Sequence, residues 1–107
     1  MLKVLLEKNY FLKQKLMFKV IFYKKAKIQY LSIWEYIAQD NLFYANEVLS
    51  KIDKSIEILK IYPFIWRELS NIYRAIIEPK YKFKIVYRVN NNTIYIVSVF
   101  KYKNSWE

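Results

Sequence analysis

Residues 81–104 read YKFKIVYRVNNNTIYIVSVFKYKN, and the fold turns on them. Tyr81, Phe83, Ile85, Tyr87 and Val89 alternate with Lys82, Lys84, Val86 and Arg88. A strand sends successive side chains to opposite faces, so the first set predicts a core face and the second a basic, wetted one. Asn90-Asn91-Asn92 interrupts the alternation with residues that tolerate the left-handed conformation of tight hairpins. Thr93 to Phe100 then reads as a returning strand. Immediately upstream, Ile72 to Ile77 has strand character and Glu78-Pro79-Lys80 reads as a turn. The C-terminal third is therefore expected to be an antiparallel meander.

Working outward, residues 17–23 (MFKVIFY) are β-branched and aromatic and predict a first strand, bounded by Lys24-Lys25. From Ala26 to Gln39 the apolar residues Tyr30, Leu31, Trp34, Ile37 and Ala38 recur at helical spacing. Asp40 and Asn41 break that helix, and either can cap the next. Ala45, Val48, Leu49, Ile52, Ile56 and Leu59 form the apolar stripe of a second helix, with Glu47, Lys51, Asp53, Lys54, Glu57 and Lys60 on its other side. Pro63 disfavours helical geometry at Tyr62 and ends the helix near Ile61. The short connector implies an antiparallel helical hairpin, and residues 64–71 read as a loop. The order is β-α-α-β-β-β, an α+β fold with a small antiparallel-rich sheet packed on an N-terminal helical hairpin. Residues 1–16 (MLKVLLEKNYFLKQKL) supply no element of that plan. We read them as an N-terminal extension preceding a domain at 17–107, with Met17 as the expected true start. Lys3, Glu7 and Lys8 break the apolar run that a secretory signal would need.

A chain of 107 residues holds one domain with a modest core. Nineteen Lys and Arg against nine Asp and Glu give a net charge of +10, a potential that favours polyanions. Part of the lysine excess has a bland source, because a chain rich in Lys, Ile, Asn and Tyr with no Gly is what AT-rich coding produces. The chain has no Cys and no His, which excludes disulfides, thiol nucleophiles, histidine bases and the usual zinc sites. No metal and no cofactor is expected. Lys3, Lys8, Lys13, Lys15 and Lys19 interrupt the N-terminal region, so no membrane span is expected and the location is read as cytoplasmic.

Between Glu78 and Glu107 there is no acidic residue, whereas Lys80, Lys82, Lys84, Arg88, Lys101 and Lys103 all fall there, with Arg74 on the preceding strand. We therefore expect a localised basic face built from Arg74, Lys82, Lys84, Arg88, Lys101 and Lys103. Tyr95, Tyr102 and Trp106 lie near it and offer rings on which bases could stack.

Three segments together resemble the RelE/ParE superfamily of toxins: MFKVIFYKKAKIQYLSIWEYIAQDN at 17–41, ANEVLSKIDKSIEILKIYP at 45–63, and the ending at 81–104. The IWEYIAQDN end of the first helix followed by ANEVLSKI and the terminating proline carries most of the specificity. The resemblance implies the toxin subunit of a type II toxin–antitoxin pair. Its partner would be a cognate antitoxin that wraps an extended, often acidic segment over it in a hetero-oligomer. In the RelE-like branch the activity is ribosome-dependent cleavage of messenger RNA by basic residues around the scissile phosphate. Here Arg74, Lys84 and Tyr102 fall at or near such positions and are the catalytic candidates under that reading. Ile76 stands near a position usually basic, and Tyr102 about where a late arginine is expected. Lysine replaces arginine as a point charge but not as a bidentate phosphate clamp. The helical part looks more like the ParE branch, whose members poison DNA gyrase by binding it, and that is the first expectation. The alternatives are a RelE-like endoribonuclease and, third, a non-toxic copy or basic nucleic-acid-binding module.

Overall fold

The structure, a computed structural model, describes residues 17–102. The expected extension at 1–16, with Lys103 and Trp106, lies outside the described residues. The elements run β1 (Lys19–Phe22), α1 (Lys24–Ala38), α2 (Leu42–Ile61), β2 (Arg67–Glu68), β3 (Arg74–Ile77), β4 (Phe83–Asn90) and β5 (Thr93–Lys101). The α+β order matches expectation with one addition, the two-residue β2 inside the stretch read as a loop.

The strands form one sheet in the order β1-β5-β4-β3-β2. β1 pairs parallel with β5, and every other pair is antiparallel. β1 ends before Lys24 and Lys25 as expected, but these two residues already open α1, two positions ahead of Ala26, and α1 buries Ala26, Tyr30, Ile33 and Ile37 to differing degrees. Leu31, expected on the buried stripe, is 45% exposed, because the true stripe (26, 30, 33, 37) lies one position away from it. Asn41 caps α2, its Oδ1 accepting the Tyr44 N–H at 2.9 Å, a contact of the kind that contributes about 1 kcal/mol. The expected stripe of α2 is buried at Ala45, Val48, Ile52, Ile56 and Leu59. Cross-links between the helices are Tyr30 to Asp53 Oδ1 at 2.5 Å and Trp34 Nε1 to Asn46 Oδ1 at 2.8 Å.

These helical residues pack on Ile76, Phe83, Ile85, Tyr87, Ile94, Ile96 and Val99, which define the inner face of the sheet. Each large aliphatic side chain so buried contributes roughly 1.5–3 kcal/mol. Tyr87 is fully buried, and its hydroxyl donates to the Pro63 carbonyl at 2.6 Å, tying the sheet to the end of α2. Burial pushes its phenol up to about 12.

Two local features reset the alternation that the sequence suggests. The 78–83 turn extends further than three residues: Tyr81 lies in it, and Lys82 adopts φ 62°, the left-handed region. The fully buried Glu78 carboxylate organises this turn by accepting the Lys80 and Tyr81 backbone N–H groups, each at 2.7 Å. The second feature is a bulge in β5. Val86 pairs with Ser98 while Tyr87 pairs with Ile96, leaving Val97 as the extra residue. Ile94 and Ile96 face inward before it, and Val99 faces inward after it. One inserted residue therefore exchanges the two faces for the rest of the strand. The 90–93 hairpin is as expected, with Asn90 opposite Thr93 and Asn91 at φ 56°.

Candidate functional site

The outer face of the sheet follows from register. Across the middle of the sheet run Ile21, Tyr95 and Arg88, consecutively paired on β1, β5 and β4. Further along, Phe100 pairs with Lys84 and Lys84 with Ile77. The Arg88 Nη1 donates to the Tyr23 hydroxyl at 3.1 Å, and its guanidinium carbon stands 5.4 Å from the Tyr95 ring centre. The Tyr23 and Tyr95 rings are 5.8 Å apart. Lys84 Nζ lies 5.4 Å from the Tyr102 ring centre. Cations held over ring faces in this way gain about 0.5–1 kcal/mol at exposed sites.

Of the expected basic face, Lys84 and Arg88 share this surface, and three other residues do not join it as strand neighbours. Arg74 pairs with Tyr87, so it belongs to the inner face. Its Nη1 donates to the carbonyls of Phe64 (3.0 Å) and Trp66 (2.8 Å), and its Nη2 to Glu68 Oε1 (2.9 Å). That guanidinium fastens the 64–68 segment under the sheet end. Lys101 pairs with Phe83, also inward, and its Nζ donates to the Tyr81 carbonyl and stands 5.1 Å from the Phe83 ring centre. Lys82 sits in the left-handed turn, its carbonyl accepting the Tyr102 N–H at 2.7 Å. Of the catalytic candidates, Lys84 and Tyr102 are brought together and Arg74 stands on the other face. Tyr23, missed by sequence reasoning, enters because β1 pairs with β5, a non-local choice that no spacing signals.

A second feature is an open apolar groove of about 580 Å³ where the helical hairpin meets the end of β5. Ile33, Tyr36, Tyr44, Phe83, Phe100 and Lys101 are among its lining residues. Gln29 lies at the same place and replaces the missing strand neighbour of β5. Its Oε1 accepts the Val99 N–H at 2.9 Å and the Ser98 hydroxyl at 3.0 Å.

At the groove rim, Glu47 accepts from Lys80 Nζ at 2.8 Å and from the Tyr81 hydroxyl. The hydrogen bond from Lys80, then that from Tyr81, lowers the Glu47 carboxyl below its ordinary value. The Glu47 bond raises Lys80 and also, ahead of burial, Tyr81. The Glu47 contribution to stability is therefore present above the free carboxyl value and lost as pH falls through its lowered value. The Lys80 and Tyr81 contributions are present below their ordinary values and lost as pH rises through the raised ones. Thermal melting from pH 7 to pH 3 should fall more shallowly for Glu47→Gln than for the native chain, and equal slopes would remove this cluster from the acid response.

Among the described residues, no group of three or more Asp or Glu is placed to hold a metal ion, and no helix is long and apolar enough to cross a membrane. No curated protein matches the sequence. Among solved structures, a chain of the chromosomal ParDE TA system from P. aeruginosa has the same fold, with a TM-score of 0.70 at 16% identity. The match covers 81% of this chain and 98% of that one. The family model of the ParE toxin of type II toxin–antitoxin system, parDE, matches residues 20–106, from β1 through the whole sheet. The match spans most of the sequence, and the chain belongs to the ParE toxin family of type II toxin–antitoxin systems.

Proposed function

We propose that this toxin acts by binding DNA gyrase rather than by cutting RNA, and that a cognate antitoxin holds it inactive. The observation that carries the choice is the placement of Arg74. Cleavage of the RelE type needs its charged groups gathered around one phosphate. The Arg74 guanidinium is committed to two backbone carbonyls and Glu68 on the inner face, away from Lys84 and Tyr102. A lysine and a tyrosine alone make a thin phosphate clamp, and the chain has no histidine to move protons. For the antitoxin, the net charge of +10 suits an acidic extended segment. The open groove at the hairpin offers apolar contacts for the same partner.

The test is controlled induction of the full chain in bacteria that carry a DNA-damage reporter. Growth arrest with reporter induction is expected, relieved by co-expression of a cognate antitoxin. Arrest without the reporter would favour messenger cleavage. Unimpaired growth with soluble protein present would overturn the toxin reading.

A further inference from the structure

We propose that the outer face of the sheet binds single-stranded nucleic acid, with Tyr23, Tyr95 and Arg88 as one stacking site and Lys84 with Tyr102 as a second. The strand positions that register assigns to this face carry Lys19, Arg67, Lys84 and Arg88 and no Asp or Glu. Charge therefore selects an anionic partner, and the rings select among anions. Arg88 is held over the Tyr95 ring and Lys84 over that of Tyr102, each 5.4 Å from the ring centre, so each ring is coupled to a phosphate-seeking group. An acidic peptide would use the cations and leave the rings idle. A nucleotide uses both, its base on the ring and its phosphate on the cation. Arg88 and Lys84 are four residues apart on one strand, about 13 Å, a span that a short extended strand of nucleic acid bridges. Duplex DNA suits the face less well. Its bases are stacked on one another, and reading its major groove takes a projecting helix or ribbon, whereas here both helices pack on the opposite face.

This binding is independent of the gyrase reading and is measured without gyrase. The probe is a fluorescein-labelled single-stranded oligothymidylate of about 12 nucleotides, titrated with the full chain and followed by anisotropy. Binding should weaken as salt rises, because phosphate contacts release counterions. Tyr95→Ala and Arg88→Ala should each weaken it about tenfold, within the range set by one lost base stack. Tyr95→Phe, which keeps the ring, should stay near the native affinity and thereby separates stacking from misfolding. Lys54→Gln, the same charge loss on α2, should leave affinity unchanged. Absence of binding would overturn the proposal. So would affinity insensitive to Tyr95→Ala, or polyglutamate competing as well as the oligonucleotide, either of which would make this a charge-only surface for an acidic protein.

Discussion

Tyr87→Ala is expected to destabilise the fold by about 3–5 kcal/mol, the range for removing a buried aromatic side chain. Native stability for a domain is only about 5–15 kcal/mol, so this single change removes a large part of it. The reason lies in where the ring sits. Tyr87 is at the centre of β4, fully buried between the sheet and the helices, and its hydroxyl reaches the Pro63 carbonyl at 2.6 Å. It therefore fills the core and anchors the exit of α2 at once. Tyr87→Phe keeps the first role and loses the second, and should cost about 1 kcal/mol. Urea denaturation of the three proteins measures both effects. A loss below 1 kcal/mol for the alanine variant would mean that the ring is not packed as described. The same pair carries a pH signature. Burial raises the Tyr87 phenol to about 12, so its contribution holds below the ordinary phenol value and is lost as pH rises through that raised value. Alkaline destabilisation should be weaker in Tyr87→Phe.

Arg74→Ala is expected to cost about 2–3 kcal/mol, through lost charge-assisted hydrogen bonds to backbone carbonyls. The contact with Glu68 adds little to this, because the Glu68 side chain is 67% exposed. The larger share comes from Phe64 O and Trp66 O, which lose the donor that fixes the segment between α2 and β2. Lys84→Ala, by contrast, removes a half-buried side chain whose ammonium has no hydrogen-bond partner among the described residues and only the Tyr102 ring beside it, and should cost no more than about 1 kcal/mol. Arg74→Lys should not restore the loss, since one ammonium cannot span three acceptors in the fork geometry of a guanidinium. Chemical denaturation separates the cases. If Arg74→Ala proves as neutral as Lys84→Ala, then Arg74 does not fasten this segment, and it becomes available again as a partner for a phosphate. The distinction matters for any toxicity assay, because a loss of toxicity in Arg74→Ala traces to stability rather than to missing chemistry.

Every element except the two-residue β2 is legible in the sequence, because the signals are local. Period-two alternation along β4, the Asn-rich hairpin, the α2 stripe and the cap and stop at Asn41 and Pro63 are each written within a few residues. Which cations meet is set by the register between strands. Plain alternation from Ile94 and Ile96 would send Lys101 outward with the basic face. The bulge at Val97 inverts that parity, so Lys101 faces inward and Phe100 and Tyr102 take the outer positions. Arg74 was assigned by the pairing of β3 with β4, which sets it opposite Tyr87, and Lys82 by a turn that a buried glutamate holds in a left-handed geometry. Tyr23 reached Arg88 because β1 docks parallel to β5 across most of the chain's length. Such pairings depend on hydrogen bonds between residues far apart in sequence, and a slip of one residue exchanges every side chain between faces. Local spacing therefore defines which residues form strands, while the register between strands defines the surface they build.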